Sequence, residues 1–445
     1  MFKYACLCFA IIVALPAWSQ VTPQASGGDT VNEPGDEMRT PPSVSNQAYP
    51  SVTGDESRSN YLHAGFSANF AYDDNVLGYA TSTPTGSTIY TIYPTFSVDK
   101  LTPRMHGTLS YNPGFTFYQS ASLSSLNSVN QSGALAFQYR MSSRFEFNLR
   151  DNFQKSSNVF NQLYPLGGPI TGSSQDLPQG ALAPFAEEQF NTASGELSYQ
   201  MSMNAMIGGS GSTTKLTYPD PAQVPGLYDS SSDGGSVFLN RRFTISQYAG
   251  VTYQYSRFLT GPGTAQIETQ THTVNFFYTY FGANHLTVSL SGGPQYFNTS
   301  YPSLPVFAAW TPAVTTSIGW QKNRFNCAAS YSRSVNNGGG LLGAFHSNSA
   351  AAFVRWQVTR NWTLGPAASY YTNSSVDPLT TTSDENGHSV TGSFSADRTL
   401  GRRMSADFRY DRLDYSYPGV PALASTDSNR ESVSISWQFD RPLGR

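Results

Sequence analysis

The chain has 445 residues, of which 39% are hydrophobic, 14% aromatic and 12% charged, and its formal net charge is −3. That charged share is about half the usual level for a soluble domain, so a soluble globular surface is a poor fit. Near-neutrality gives no reason to expect nucleic acid or any strongly charged partner.

The first element is MFKYACLCFAIIVALPAWSQ. Lys3 is a short positive region, Tyr4 to Leu15 an apolar run, and Pro16, Ala17 and Ser19 a small-residue cleavage site. This is the layout of a secretory signal covering residues 1–19, and the run is too short for the roughly 20 residues of a spanning helix. Cys6 and Cys8 lie inside the apolar run rather than at its end, which argues against a lipoprotein site. The mature chain keeps Cys327 alone and can form no internal disulfide. Residues 20–60 are rich in Pro, Ser, Gly, Asn and acids, without apolar periodicity, and read as a flexible periplasmic linker.

A period of two begins at Tyr61. Leu62, Ala64, Phe66, Ala68, Phe70 and Tyr72 share one strand face; His63, Gly65, Ser67 and Asn69 share the other. Tyr90, Ile92, Phe96 and Val98 mark the next strand. Leu109, Tyr111, Phe115 and Phe117 mark the third, and Leu135, Phe137 and Tyr139 the fourth. Phe145, Phe147 and Leu149 then oppose Glu146, Asn148 and Arg150. The rule continues through Val251–Ser256, Val274–Tyr280, Leu286–Ser291, Val314–Trp320, Val354–Val358 and Phe408–Tyr410. It ends in ESVSISWQF, where serines alternate with Val433, Ile435, Trp437 and Phe439. Helical periodicity appears nowhere at useful length.

Connection length also alternates. Short turns fall near Pro103, Ser143, Met203, Ser246, Asn284, Asn323, Asn361 and Arg402. Longer segments fall at Asp73–Gly86, Ser156–Gln189, Thr214–Gly234, Asn298–Pro305 and Leu413–Ser428. Eight short turns join sixteen strands, and one more strand at each end gives about 18, with 16 the near alternative. The reading is an all-β, transmembrane antiparallel barrel over residues 61–440, with short periplasmic turns, long outer loops and a periplasmic tail at 441–445. Such a sheet must close, because lipid cannot satisfy strand-edge N–H and C=O groups. At this strand number side chains no longer fill the interior and an aqueous lumen is expected. Ser156–Gln189 either folds into that lumen or stays on the surface.

Inward-phase charges are the candidate lining of a pore: Arg140, Glu146, Arg150, Glu196, Arg355, Asp397, Asp407 and Arg409. Both signs are present, so they set a constriction or pair with one another. Tyr72, Tyr118, Tyr139, Trp320, Trp356, Trp362, Tyr370, Tyr410 and Trp437 suit interfacial girdles. Inward aromatics such as Phe277 and Tyr118 could instead stack on carbohydrate. Asp73, Asp74 and Asn75 could hold a cation or simply make a turn. The six histidines sit in no Gly-x-Ser-x-Gly or His-Glu-x-x-His context, and no phosphate or dinucleotide fingerprint is present, so no enzyme, cofactor or metal centre is expected. Cys327 shares the outward phase with Phe325 and Tyr331.

The first strand ending YDDNV, the third reading SYNPGFTFY and the terminal WQF resemble the outer-membrane β-barrel porin families of Gram-negative bacteria, some of which accompany exopolysaccharide export. The resemblance covers Tyr61 to the C-terminus through short motifs. It implies an outer-membrane location and passive transport or polysaccharide passage. The alternatives to a small-solute channel are therefore an exopolysaccharide-export barrel and a structural or adhesive surface barrel with an occluded pore. The expected partners are outer-membrane lipid and lipopolysaccharide, the barrel assembly machinery, and small solutes or polysaccharide. The aromatic that usually ends such a chain is here Phe439, followed by DRPLGR.

Overall fold

The computed structural model describes residues 60–77, 84–157, 187–221, 225–262, 266–282, 285–302, 304–322, 324–376, 386–401, 403–418 and 426–443. Eighteen strands follow in chain order. They are β1 (Tyr61–Asp73), β2 (Ser87–Leu101), β3 (Met105–Tyr118), β4 (Ser128–Arg140), β5 (Phe145–Ser156) and β6 (Glu188–Ser202). Next come β7 (Ala205–Thr217), β8 (Ser230–Thr244), β9 (Gln247–Thr260), β10 (Ile267–Phe281), β11 (Leu286–Tyr301) and β12 (Leu304–Lys322). The last six are β13 (Phe325–Asn336), β14 (Phe345–Gln357), β15 (Trp362–Ser375), β16 (Gly387–Thr399), β17 (Met404–Ser416) and β18 (Thr426–Pro442). Each pairs antiparallel with its neighbours in sequence, and β18 pairs with β1 to close one 18-stranded sheet.

The eight short turns stand where the sequence placed them, and both ends of the wall lie on the short-turn side. Three expectations change. Asn298–Pro305 is not a long loop: β11 and β12 run on until residues 302–303 alone separate them, with Tyr301 opposite Leu304. The strand ends there carry Asn, Thr, Ser and Pro, which hid the alternation. A 3₁₀ turn, Ala121–Leu126, interrupts the all-strand pattern. Finally, β18 continues through Pro442, so Arg441 belongs to the wall rather than to a tail. The expected signal and linker up to residue 59, and residues 158–186 of the long segment after β5, lie outside the described residues.

Burial fixes which face is which. On β1, Phe66, Phe70 and Tyr72 are 46%, 50% and 49% exposed, whereas Ser67, Asn69 and Asp73 are 1%, 4% and 0%. The apolar phase therefore faces outward and the polar phase inward, the inverse of a soluble core. From Leu62 to Tyr72 the outward belt spans ten residue steps, which at ~3.3 Å each and a tilt of about 40° is a height of about 25 Å, close to the lipid-facing band of membrane barrels. Aromatic pairs bound the belt. On the long-connection side lie Phe70–Tyr90 at 5.5 Å and Tyr296–Trp310 at 5.3 Å; on the short-turn side lie Phe145–Tyr199 at 4.8 Å and Trp320–Phe325 at 5.4 Å. Cys327 stands in the outward phase between Trp320 and Val354.

The seam between first and last strands has its own fastenings. Thirteen residues of β1 stand in register with β18. At the long-connection end the Asp74 carboxylate accepts both the backbone N–H and the side-chain amide of Asn429, each at 2.7 Å. Asp73 accepts the Ser428 hydroxyl at 2.8 Å, and the Asn75 amide donates to the Asp427 carbonyl at 3.1 Å. At the other end His63 meets Asp440 at 2.7 Å, and Leu443 N–H donates to the Asn60 carbonyl at 2.7 Å. The YDDN turn therefore clips the last strand to the first.

Candidate functional site: the lumen and its mouth

The eight inward charges of the sequence reading lie on the inner face, in two groups. Arg140, Glu146, Arg150 and Glu196 occupy β4–β6. Arg140 stands opposite Glu146, and Asn148 stands between Gln138 and Glu196. Glu146 accepts the amides of Gln138 and Asn148, both at 3.0 Å, and together with Arg150 supplies the field at Glu196. The second group lies on β14–β17. Arg355 and Asp397 line one depression with Gly365 and Ser395. Asp397 stands opposite Asp407, and Arg409 reaches Asp411 at 3.1 Å. The groups are well separated along the wall, so carboxylates and guanidiniums face the lumen from two sides.

A charged row, of which only Asp73 was among the candidates from the sequence, runs beside the second group. Asp411, Arg430 and Asp73 are register partners across β17, β18 and β1, and all three are at most 5% exposed. Parity alone would have found them, since Asp411 continues the inward series of Asp407 and Arg409, and Arg430 that of Ser432 and Ser434. Among the described residues, no three His, Cys, Asp or Glu side chains gather as a metal site.

The inward aromatics have structural work. Phe277 is 4% exposed and lies against Gly250 of the next strand, where a Cβ would strike its ring. Phe238 covers Gly208 and Tyr93 covers Gly114 in the same way. Each ring fills the space that its glycine leaves on the inner wall. Tyr118 leaves the expected girdle and packs inside with Ala71, Val76, Ile89 and Leu123.

The long-connection mouth is crossed from several sides. The β13–β14 connection, residues 337–344, reverses through Gly338, Gly339, Gly340 and Gly343, all at positive φ between 63° and 105°. An L side chain is strained in that region, so glycine is what permits the fold of this loop. Its carbonyls reach the β7–β8 connection, six strands away along the wall. Tyr228 N–H donates to Gly340 O at 2.9 Å, and the Tyr218 hydroxyl to Gly339 O at 3.4 Å. Leu341 and Phe345 are fully buried beneath it. Tyr415 of β17 comes within electrostatic reach of Tyr218 and of Glu188 on β6. Burial, reinforced by the Glu188 and Asp229 carboxylates, pushes the Tyr218 phenol well above its ordinary value, so it remains a neutral hydrogen-bond donor.

A closed antiparallel wall, apolar outside and polar inside, defines a membrane-spanning β-barrel. The sequence matches no protein-family model and no curated protein. Among solved structures the fold is similar to OccAB4 of Acinetobacter baumannii, at 10% identity and a TM-score of 0.42, over 87% of this chain and 100% of that one. It is also similar to the outer membrane protein OpdK of Pseudomonas aeruginosa, at 7% identity and a TM-score of 0.43, over 86% and 99%. A third likeness is to OccK9 (OpdG) of Pseudomonas aeruginosa, at 9% identity and a TM-score of 0.43, over 86% and 98%.

Proposed function

We propose that this chain is exported by its N-terminal signal and inserted by the assembly machinery into the outer membrane of a Gram-negative cell. There it forms a water-filled channel for passive passage of small solutes, not an enzyme. The observation that carries this reading is the phase of the wall: apolar residues outside, polar and charged residues inside, in a ring too wide for its side chains to fill. Arg140, Glu146, Arg150 and Glu196 on one side, with Arg355, Asp397, Asp407 and Arg409 on the other, would line the path and set its local field. The short turns would face the periplasm, where the linker enters, and the long connections the exterior, beside lipopolysaccharide.

The contacts across the outer mouth favour a second reading, a barrel occluded in its resting form. One experiment separates the two. Single-channel conductance in planar bilayers would be recorded for the full barrel and for a form with Gly338–Leu342 replaced by a two-residue turn. A channel narrowed by the loop gives stable steps that enlarge when the loop is shortened. Steps of equal size in both forms would remove the loop from the conduction path. Silence from both, with the barrel folded, would overturn the channel reading in favour of an occluded structural barrel.

A further inference from the structure

We propose that the outer side of the short-turn rim is a binding collar for the phosphate groups of anionic phospholipids. Charge at this end is sorted by face. The outward-phase strand ends carry Lys100, Arg241, Lys322, Arg398 and Arg441, all exposed. The nearby acids Asp99, Glu146, Asp397 and Asp440 stand in the inward phase, opposite Tyr61, Arg140, Thr363 and His63. Among the described residues, no Asp or Glu occupies an outward position at these strand ends.

The guanidiniums are also held at the depth of the aromatic belt. Arg398 lies over Trp362 at 5.3 Å, Arg403 over Phe439 at 5.7 Å and Arg241 over Phe243 at 5.8 Å. Stacking occupies one face of the planar group and leaves its N–H edge available for a hydrogen-bond acceptor. That edge matches two phosphate oxygens. The opposite end of the barrel is built differently. There several outward cations are paired within the protein: Arg257 makes a bidentate pair with Glu268 at 2.9 and 2.8 Å, Lys155 meets Glu187 at 2.8 Å and Arg412 meets Asp427 at 2.8 Å. The short-turn rim has cations without such acids, placed where lipid phosphates lie. The occupant is thus a phospholipid headgroup with net negative charge in the leaflet at the short-turn end. A zwitterionic headgroup, whose own ammonium offsets its phosphate, is the weaker ligand.

The inference rests on the membrane-spanning reading, and its test separates the two. The full-length barrel is reconstituted into vesicles of phosphatidylcholine with brominated phosphatidylglycerol, or the reverse. Quenching of the rim tryptophans, among them Trp320, Trp362 and Trp437, then reports which lipid touches this end. The expected preference for phosphatidylglycerol is about fivefold at low salt. It should fall toward unity near 0.5 M NaCl, where the Debye length is only a few ångströms. It should also be lost in the Arg241→Gln, Lys322→Gln, Arg398→Gln triple variant. Equal quenching by the two lipids at low salt, or a preference that survives either salt or the triple variant, would overturn the collar. Should the triple variant not fold, the salt titration of the unaltered protein decides. A folded, inserted barrel without lipid preference sinks the collar alone, whereas a barrel that never inserts sinks the membrane reading.

Discussion

Replacing Ile435 with arginine tests the assignment of inside and outside at its most sensitive point. Ile435 is 50% exposed on the outer face and stands between Ala68 of β1 and Ala406 of β17. Ala68 is near the middle of the outward series from Leu62 to Tyr72, so the side chain lies near the bilayer midplane. Arginine at that depth on a barrel costs about 2–4 kcal/mol, equivalent to a change of about 30- to 700-fold in the folding equilibrium. The small flanking alanines give the guanidinium no polar partner to offset the cost. Ser434, one residue earlier, points inward between Asn69 and Asp407. Arginine there meets a carboxylate and lumen water, so Ser434→Arg should fold within about 1 kcal/mol of the parent and change single-channel conductance. The assay is urea unfolding in lipid vesicles, followed by tryptophan fluorescence and by the shift of the folded band in unheated gels. If the two variants lost stability equally, or Ser434→Arg lost more, the phase of the whole wall would be misassigned.

Asp74→Ala removes both 2.7 Å hydrogen bonds to Asn429 at the seam; with the carboxylate partly exposed, the loss should be about 1–2 kcal/mol, read as a lower urea midpoint at unchanged slope. An unaltered midpoint would mean that the backbone ladder alone holds β1 to β18. Gly293→Ala would drive a Cβ into the Val274 carbonyl, and because backbone cannot yield cheaply the expected cost is about 1–3 kcal/mol. Gly319→Ala has open space around it and should stay within about 0.5 kcal/mol, so equal effects at the two glycines would refute the contact argument.

Much of this architecture was legible in the sequence because a membrane barrel writes its geometry as alternation. Each wall residue faces either lipid or water, and Phe66, Ser67, Ala68 and Asn69 record that choice one by one. The short turns were readable for a related reason: MSSR, QKNR and LGRR are polar interruptions between apolar-alternating runs. The alternation faded where strands outrun the bilayer. β7 is mostly Gly, Ser and Thr, and β11 carries Asn298, Thr299 and Ser300 near its end, no more apolar than a loop, so their extent depended on pairing with a neighbour. The inward charges were found by parity, but parity does not measure distance around a ring.

Three features needed the closed structure. Asp73, Asp74 and Asn75 gave no sign that they fasten a strand more than 350 residues away, because that contact exists only after closure. The connection at residues 337–344 is held by Tyr218 and Tyr228, which come from a connection a third of the way round the ring. The net charge of −3 concealed the cationic rim, since a sum over the chain carries no information about face or height. Local alternation thus determined that this chain forms a lipid-facing barrel of about 18 strands, with 16 the near alternative, and the pairing of β18 with β1 decided for 18. Which side chains meet across the lumen, and where charge collects on the wall, was decided by closure of the ring, which brings together residues that no short-range pattern connects.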